Sequence, residues 1–140
     1  MSPTPPISGL LETAVDAVDL ARTVAFYQRT LGLPVLLETP RLVAFDAGGA
    51  SVLLVFQAGA AERDMIDERG TVPGHGSRGR VHFALAIPAD SLEAWRKRLA
   101  TLGVPLTGEY RWPRGGTSLY FDDPDGNVVE LATPGLWSNY

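Results

Sequence analysis

Apolar and polar positions follow two spacings along this chain, and the order in which the spacings appear repeats. In "DLARTVAFYQRTLG" the apolar residues Leu20, Val24, Tyr27 and Leu31 recur at helical spacing. Asp19 suits the N-cap and Gly32 the C-terminal stop. "ADSLEAWRKRLATLG" repeats the pattern, with Asp90 or Ser91 as cap and Gly103 as stop. A short strand-like run precedes each helix, "LLETAVDAV" at 10–18 and "RVHFALAIP" in the second half. Three more follow each: "PVLLET", "RLVAFDA" and "SVLLVFQ", then "VPLTGEY", "TSLYFDD" and "NVVELAT". The helix exits "LGLPV" and "LGVPL" match closely, at an offset of about 70 residues. The chain thus reads as one domain, 1–140, built from two strand-helix-strand-strand-strand modules. Module one spans about 10–57 and module two about 80–134. The polar, glycine-rich stretch between them, about 58–79, reads as a linker or a loop that closes over something.

One position breaks the apolar pattern. "SLYFDDPDGNVVEL" reads as two strands joined by a turn, because proline fixes φ and glycine supplies positive φ. Glu130 falls inside the second strand, where an unpaired carboxylate in an apolar setting costs several kcal/mol. The repeat supplies a ruler for asking what Glu130 is for. Glu12 lies 19 residues before Leu31, and His82 lies 20 before Leu102, so both sit near the start of their module's first strand. Matching "FDD" at 121 with "FDA" at 45 places Leu54, within one residue, opposite Glu130. Three of four equivalent positions carry a side chain able to bind a metal, and the fourth is apolar. Two carboxylates and an imidazole suit Fe, Mn, Ni, Zn or Co as a divalent ion. Three protein ligands leave coordination positions for water or substrate. Each residue also has a plainer reading: a core histidine, an exposed glutamate, a glutamate paired with Arg41, Arg111 or Arg114.

Composition narrows the partners. Charged residues make up 20% and hydrophobic residues 45%, as in an ordinary globular protein. A net charge of -4 with a pI near 5.1 argues against nucleic acid or an anionic membrane surface as partner. With no cysteine, disulfides, thiolate nucleophiles and cysteine-bound zinc are excluded. The start "MSPTPPISG" lacks the charged and apolar regions of a signal peptide, and no apolar run reaches membrane-span length. The expectation is a cytoplasmic protein.

Further residues are candidates for shaping a site. Asp16 shares strand parity with Glu12 and is a candidate base or substrate contact, the alternative being a surface position. Arg114 in the loop "YRWPRGG" is placed to grip a carboxylate or phosphate. Trp112 is a candidate lid or dimer contact, and His75 in "PGHGSRG" a candidate acid or base. Phe26, Tyr27 and Trp95 lie at core spacing and read as packing.

The stretches "DLARTVAFYQRTLGLPV", "VHFALAIP" and "SLYFDDPDGNVVEL" resemble the vicinal oxygen chelate superfamily, and the resemblance covers nearly all of 10–134. That superfamily includes glyoxalase I, bleomycin-resistance and fosfomycin-resistance proteins and extradiol dioxygenases. The resemblance implies an α+β fold: two tandem βαβββ modules forming a curved mixed β-sheet around a cleft, with helices on the outer face. It implies metal ligands on the first and last strands, carried over by position to Glu12, His82 and Glu130. For so short a member it implies a homodimer with a shared cleft, Glu12 coming from one chain and His82 with Glu130 from the other. Leu54 departs from the glyoxalase I pattern, whose fourth ligand shuttles a proton. Glu12 departs from the two histidines and one glutamate of extradiol enzymes. The implied function is a divalent-metal enzyme acting on a small substrate with adjacent oxygens, as lyase, isomerase, dioxygenase or epoxide-opening enzyme. Glu130 is its central catalytic residue, with Asp16 and Arg114 as further candidates. The alternative is a metal-free protein that sequesters a drug or metabolite, as bleomycin-resistance members do, with Trp112, Tyr120 and Trp137 as candidate liners of its cleft.

Overall fold

The computed structural model describes residues 3–140, so positions 1 and 2 of the 1–140 span lie outside it. Strand β1 (Glu12–Ala17) leads into helix α1 (Leu20–Leu31), then β2 (Val35–Glu38), β3 (Leu42–Asp46) and β4 (Val52–Gln57). A small hairpin, β5 (Met65–Asp67) with β6 (Gly70–Val72), lies between the modules. The second module repeats the first as β7 (His82–Ala86), a 3₁₀ turn (Ala89–Ser91), α2 (Leu92–Thr101), β8 (Gly108–Arg111), β9 (Thr117–Asp122) and β10 (Val128–Ala132). The strands pair as two four-stranded mixed sheets, β1-β4-β3-β2 and β7-β10-β9-β8. Within each sheet the first strand runs parallel to the last, and the other pairs are antiparallel. β1 and β7 are therefore both edge strands.

Local chemistry sets the helix ends. The Asp19 carboxylate accepts from the Arg22 amide, and Gly32 closes α1 in the left-handed region at φ 66°. At α2, Ser91 holds the cap position, but its hydroxyl donates to the Pro88 carbonyl and the chain enters through the 3₁₀ turn. Two boundaries differ from the sequence reading. β8 starts at Gly108, after proline and a turn have used up the "VPLT" segment. The stretch read as a linker or a loop that closes over something, about 58–79, holds the short β5–β6 hairpin.

Alternation along the strands divides each sheet into a core face and a site face. Val15, Val43, Phe45, Leu53 and Val55 of module one, with Phe83, Leu119, Phe121, Val129 and Leu131 of module two, share one hydrophobic core. α1 lies against both halves: Tyr27 packs 6.1 Å from Phe45 and 6.3 Å from Phe83, centroid to centroid, and Phe26 packs 6.3 Å from Phe121. Both helices thus cover the face opposite the one that carries Glu130. Polar contacts lock the modules together. Arg98 of α2 donates to the Arg29 and Thr30 carbonyls at the C-terminus of α1, whose last carbonyls lack partners within the helix. The Asp123–Asn127 turn grips the other end of α1. Asp125 accepts from the Val18 amide and the Thr23 hydroxyl, and Asp123 accepts from the Tyr27 hydroxyl.

Candidate functional site

The sheet registers fix how the four positions singled out in the sequence correspond. Glu12 pairs with Val52, two residues before Leu54, and His82 pairs with Val128, two residues before Glu130. Leu54 stands between Ala14 and Ala44, as Glu130 stands between Ala84 and Tyr120. Glu12 is therefore the counterpart of His82, and Leu54 that of Glu130, with no offset. All four have the parity opposite to the core residues Val15, Leu53, Val55, Phe83, Val129 and Leu131 of their strands, and so face away from the core.

His82 and Glu130 meet. The His82 Nε2 lies 3.0 Å from Glu130 Oε1, and Nδ1 lies 3.2 Å from the Val128 carbonyl oxygen. A carbonyl only accepts, so Nδ1 carries the proton in that bond. Nε2 of a neutral ring then presents a lone pair to a carboxylate oxygen, which is also an acceptor. Two facing acceptors need a proton or a cation between them. The spacing suits a cation: two atoms each about 2.1 Å from one ion, at angles from 90° to 109°, lie about 3.0–3.4 Å apart. Glu130 is only 5% exposed, whereas the His82 side chain is 49% exposed and leaves the pair open to solvent. The second carboxylate oxygen, Oε2, accepts from the Ser118 hydroxyl, which in turn accepts from the Trp112 indole N–H at 2.8 Å. Tyr120 borders the same face, its ring 6.1 Å from that of His82. Burial, reinforced by the charge of Glu130 against an opposing Ser118 hydrogen bond, holds the Tyr120 phenol above its usual range.

The other candidates lie elsewhere. Glu12 is exposed at the start of β1, and among the described residues no third His, Cys, Asp or Glu joins His82 and Glu130 within reach of one ion. Asp16, two steps further along the same face, accepts from the Ser77 amide at 3.0 Å and so ties down the inter-module loop. His75 rests edge-on against Phe56, 4.9 Å between ring centroids, and its amide donates to the Ala61 carbonyl. With Glu62, Ser77 and Arg78 it borders a loop cavity of about 340 Å³. Arg114 is exposed in the β8–β9 turn. Trp112 is hydrogen-bonded inward to Ser118, and Trp137 is 70% exposed. From the sequence Tyr120 reads only as a candidate liner and Ser118 not at all, although period-2 counting along "TSLYFD" puts both on the Glu130 face.

Known proteins share the two-module fold. The family model for the Glyoxalase/Bleomycin resistance protein/Dioxygenase superfamily matches residues 9–131. The metallothiol transferase FosB of Bacillus licheniformis is 31% identical over 128 residues, 91% of this chain and 76% of that protein. The catechol-2,3-dioxygenase of Bacillus subtilis is 29% identical over 114 residues, 80% of this chain but 36% of that larger protein. The crystal structure of lactoylglutathione lyase from Agrobacterium tumefaciens superposes with a TM-score of 0.86 at 34% identity, covering 96% of this chain and 99% of that one. The matched span takes in nearly all of both modules, His82 and Glu130 included, and the chain belongs to the Glyoxalase/Bleomycin resistance protein/Dioxygenase superfamily.

Proposed function

We propose that this protein is a divalent-metal-dependent enzyme whose small substrate chelates the ion through adjacent oxygens. The observation that carries the reading is the His82–Glu130 contact, in which imidazole Nε2 and a carboxylate oxygen lie 3.0 Å apart on the open face of the sheet. His82 and Glu130 hold the ion from module two. Glu12, at the register position equivalent to His82, supplies the third ligand from the partner in a homodimer. When bound, the ion supplies Lewis-acid polarisation of the substrate oxygens. Tyr120 keeps its phenol proton at neutral pH and donates a hydrogen bond to an oxygen on which negative charge develops.

Among the reactions of the superfamily, we favour addition of a thiol or water across an epoxide C–O bond. The FosB relative, named as a metallothiol transferase, covers both modules of this chain. Leu54 stands where a fourth, proton-shuttling ligand would be needed for glyoxalase I chemistry, and it cannot move a proton. In the proposed addition the nucleophile forms a bond to carbon, the C–O bond breaks, and the nucleophile's proton ends on the released oxygen. Thiol or water is the co-reactant.

Calorimetric titration with Mn(II), Ni(II), Zn(II) or Fe(II) tests the reading. One ion per chain is expected, and at 100 times Kd it stabilises the fold by about 2.7 kcal/mol. His82→Ala and Glu130→Gln are expected to abolish both effects. Wild-type metal content in His82→Ala overturns the proposal. A second reading, metal-free sequestration, draws on the aromatics Tyr110, Trp112 and Tyr120 that border the site face. It wins if divalent ions leave the melting temperature unchanged while an aromatic cation raises it equally in wild type and Glu130→Gln.

A further inference from the structure

We propose that Trp112 is a positioning residue that sets the orientation of Glu130 through the hydroxyl of Ser118. The direction of the hydrogen-bond chain follows from donor inventory. An indole N–H can only donate, an ionised carboxylate can only accept, and a serine hydroxyl has one proton to give. The chain therefore runs from Trp112 Nε1–H to Ser118 Oγ and from Ser118 O–H to Glu130 Oε2. Ser118 is fully buried and Glu130 nearly so, which makes an unmade bond at either one costly. With Oε2 held in this way, Oε1 is the oxygen turned to His82. Rotating the carboxylate would break the bond from Ser118 and leave that buried hydroxyl's proton without its partner, while the Trp112 N–H keeps the hydroxyl oxygen in place.

The indole is itself held in place. Trp112 lies in the β8–β9 turn, where its amide donates to the Gly116 carbonyl and its carbonyl accepts from Gly115. The ring of Tyr110 packs against it at 4.6 Å between centroids. Beneath the turn, the Gly116 amide donates to the Gly135 carbonyl, and a Cβ at Gly116 would come within 2.8 Å of the Pro134 carbonyl oxygen. The β8–β9 turn, pinned by residues 134–136, thus reaches the candidate metal ligand through two hydrogen bonds. Groups that orient ligands in this way govern metal affinity, by about 10–100-fold when removed.

The proposal rests on the metal reading for one of its two tests only. In metal-free protein, Glu130→Gln is expected to shift the Trp112 indole N–H resonance, assigned by its loss in Trp112→Phe. No hydrogen bond joins the two residues directly, so a shift carried by the relay is expected to vanish in a Ser118→Ala background. A through-space effect of the lost charge would persist there and overturn the proposal. In Mn(II) titrations, Ser118→Ala is expected to weaken binding about tenfold, and Ser118→Thr, which keeps the hydroxyl, to restore most of it. Trp112→Phe is expected to weaken binding about threefold and to add nothing in the Ser118→Ala background, as links of one chain do. An indole resonance that ignores Glu130→Gln, or wild-type Mn(II) affinity in Ser118→Ala, overturns the proposal. If wild type binds none of Mn(II), Ni(II), Zn(II) and Fe(II), the metal reading fails by itself, and the indole resonance still decides the relay.

Discussion

At Asp123 four donors converge on one buried carboxylate. The Tyr27 hydroxyl donates at 2.8 Å, and the Asp125 amide, the Asn127 amide and the Asn127 side-chain nitrogen each donate at 2.9 Å. Burial, with the nearby charge of Asp123, pushes the Tyr27 phenol far above its usual range. Tyr27→Phe removes one of the four donors without opening a cavity, and is expected to cost about 1–3 kcal/mol in urea unfolding near pH 7. The sign of the pH dependence follows from the raised pKa. The unfolded tyrosine loses its proton above about pH 10 while the folded one keeps it, so stability falls as pH rises past that value. The difference between wild type and Tyr27→Phe is therefore expected to shrink above pH 10, and a constant difference up to pH 11 would refute the assignment. Helical spacing placed Tyr27 in the core but could not show its hydroxyl's role, because the partner is 96 residues away in sequence. Glu130 was legible for the opposite reason, since a charge in a buried strand stands out against its neighbours. Ser118 was not, because a small hydroxyl fits an alternating strand without breaking the pattern.

Elements with a strong period were readable, and those without were not. The two helices announced themselves by apolar spacing, and their Gly32 and Gly103 stops both take positive φ. The β5–β6 hairpin did not, because its strands are three residues each and exposed throughout, so no alternation marks them. The repeat was the strongest signal of all, and the sheet registers show why: helix and hairpin lengths are conserved closely enough between modules to keep Glu12 aligned with His82. The inter-module loop is where sequence reading gave least, and Asp16 shows what it missed. Strand parity put Asp16 on the site face as a candidate base, whereas its carboxylate accepts from the Ser77 amide and fastens the loop to β1. Asp16→Ala is expected to speed amide exchange at Ser77 about tenfold, with exchange in the β9–β10 core unchanged. Unaltered exchange at Ser77 would leave Asp16 without this anchoring role.

For the whole molecule, the telling feature is a pair of unfinished edges. β1 and β7 each have one hydrogen-bonded neighbour, so each presents a free row of backbone donors and acceptors. Glu12 and His82 stand on these two edges at equivalent register, and within one chain no third ligand joins His82 and Glu130 among the described residues. Beside β1, Ile7, Leu10 and Leu11 are 89%, 95% and 65% exposed, an apolar stretch that a second copy would cover. A two-fold dimer setting β1 of one chain beside β7 of its partner would complete two identical sites, each drawing Glu12 from the other chain. Such sharing has a signature that a single-chain site cannot give. Glu12→Ala and His82→Ala are each expected to lose tight Mn(II) binding as homodimers. When the two are unfolded together and refolded at equal concentration, random pairing makes half the dimers mixed. Each mixed dimer has one site with both substitutions and one with neither, so about a quarter of wild-type Mn(II) sites should return. A monomer by light scattering at micromolar concentration, or no recovery after mixing, would place Glu12 outside the site and leave His82 and Glu130 to hold an ion alone.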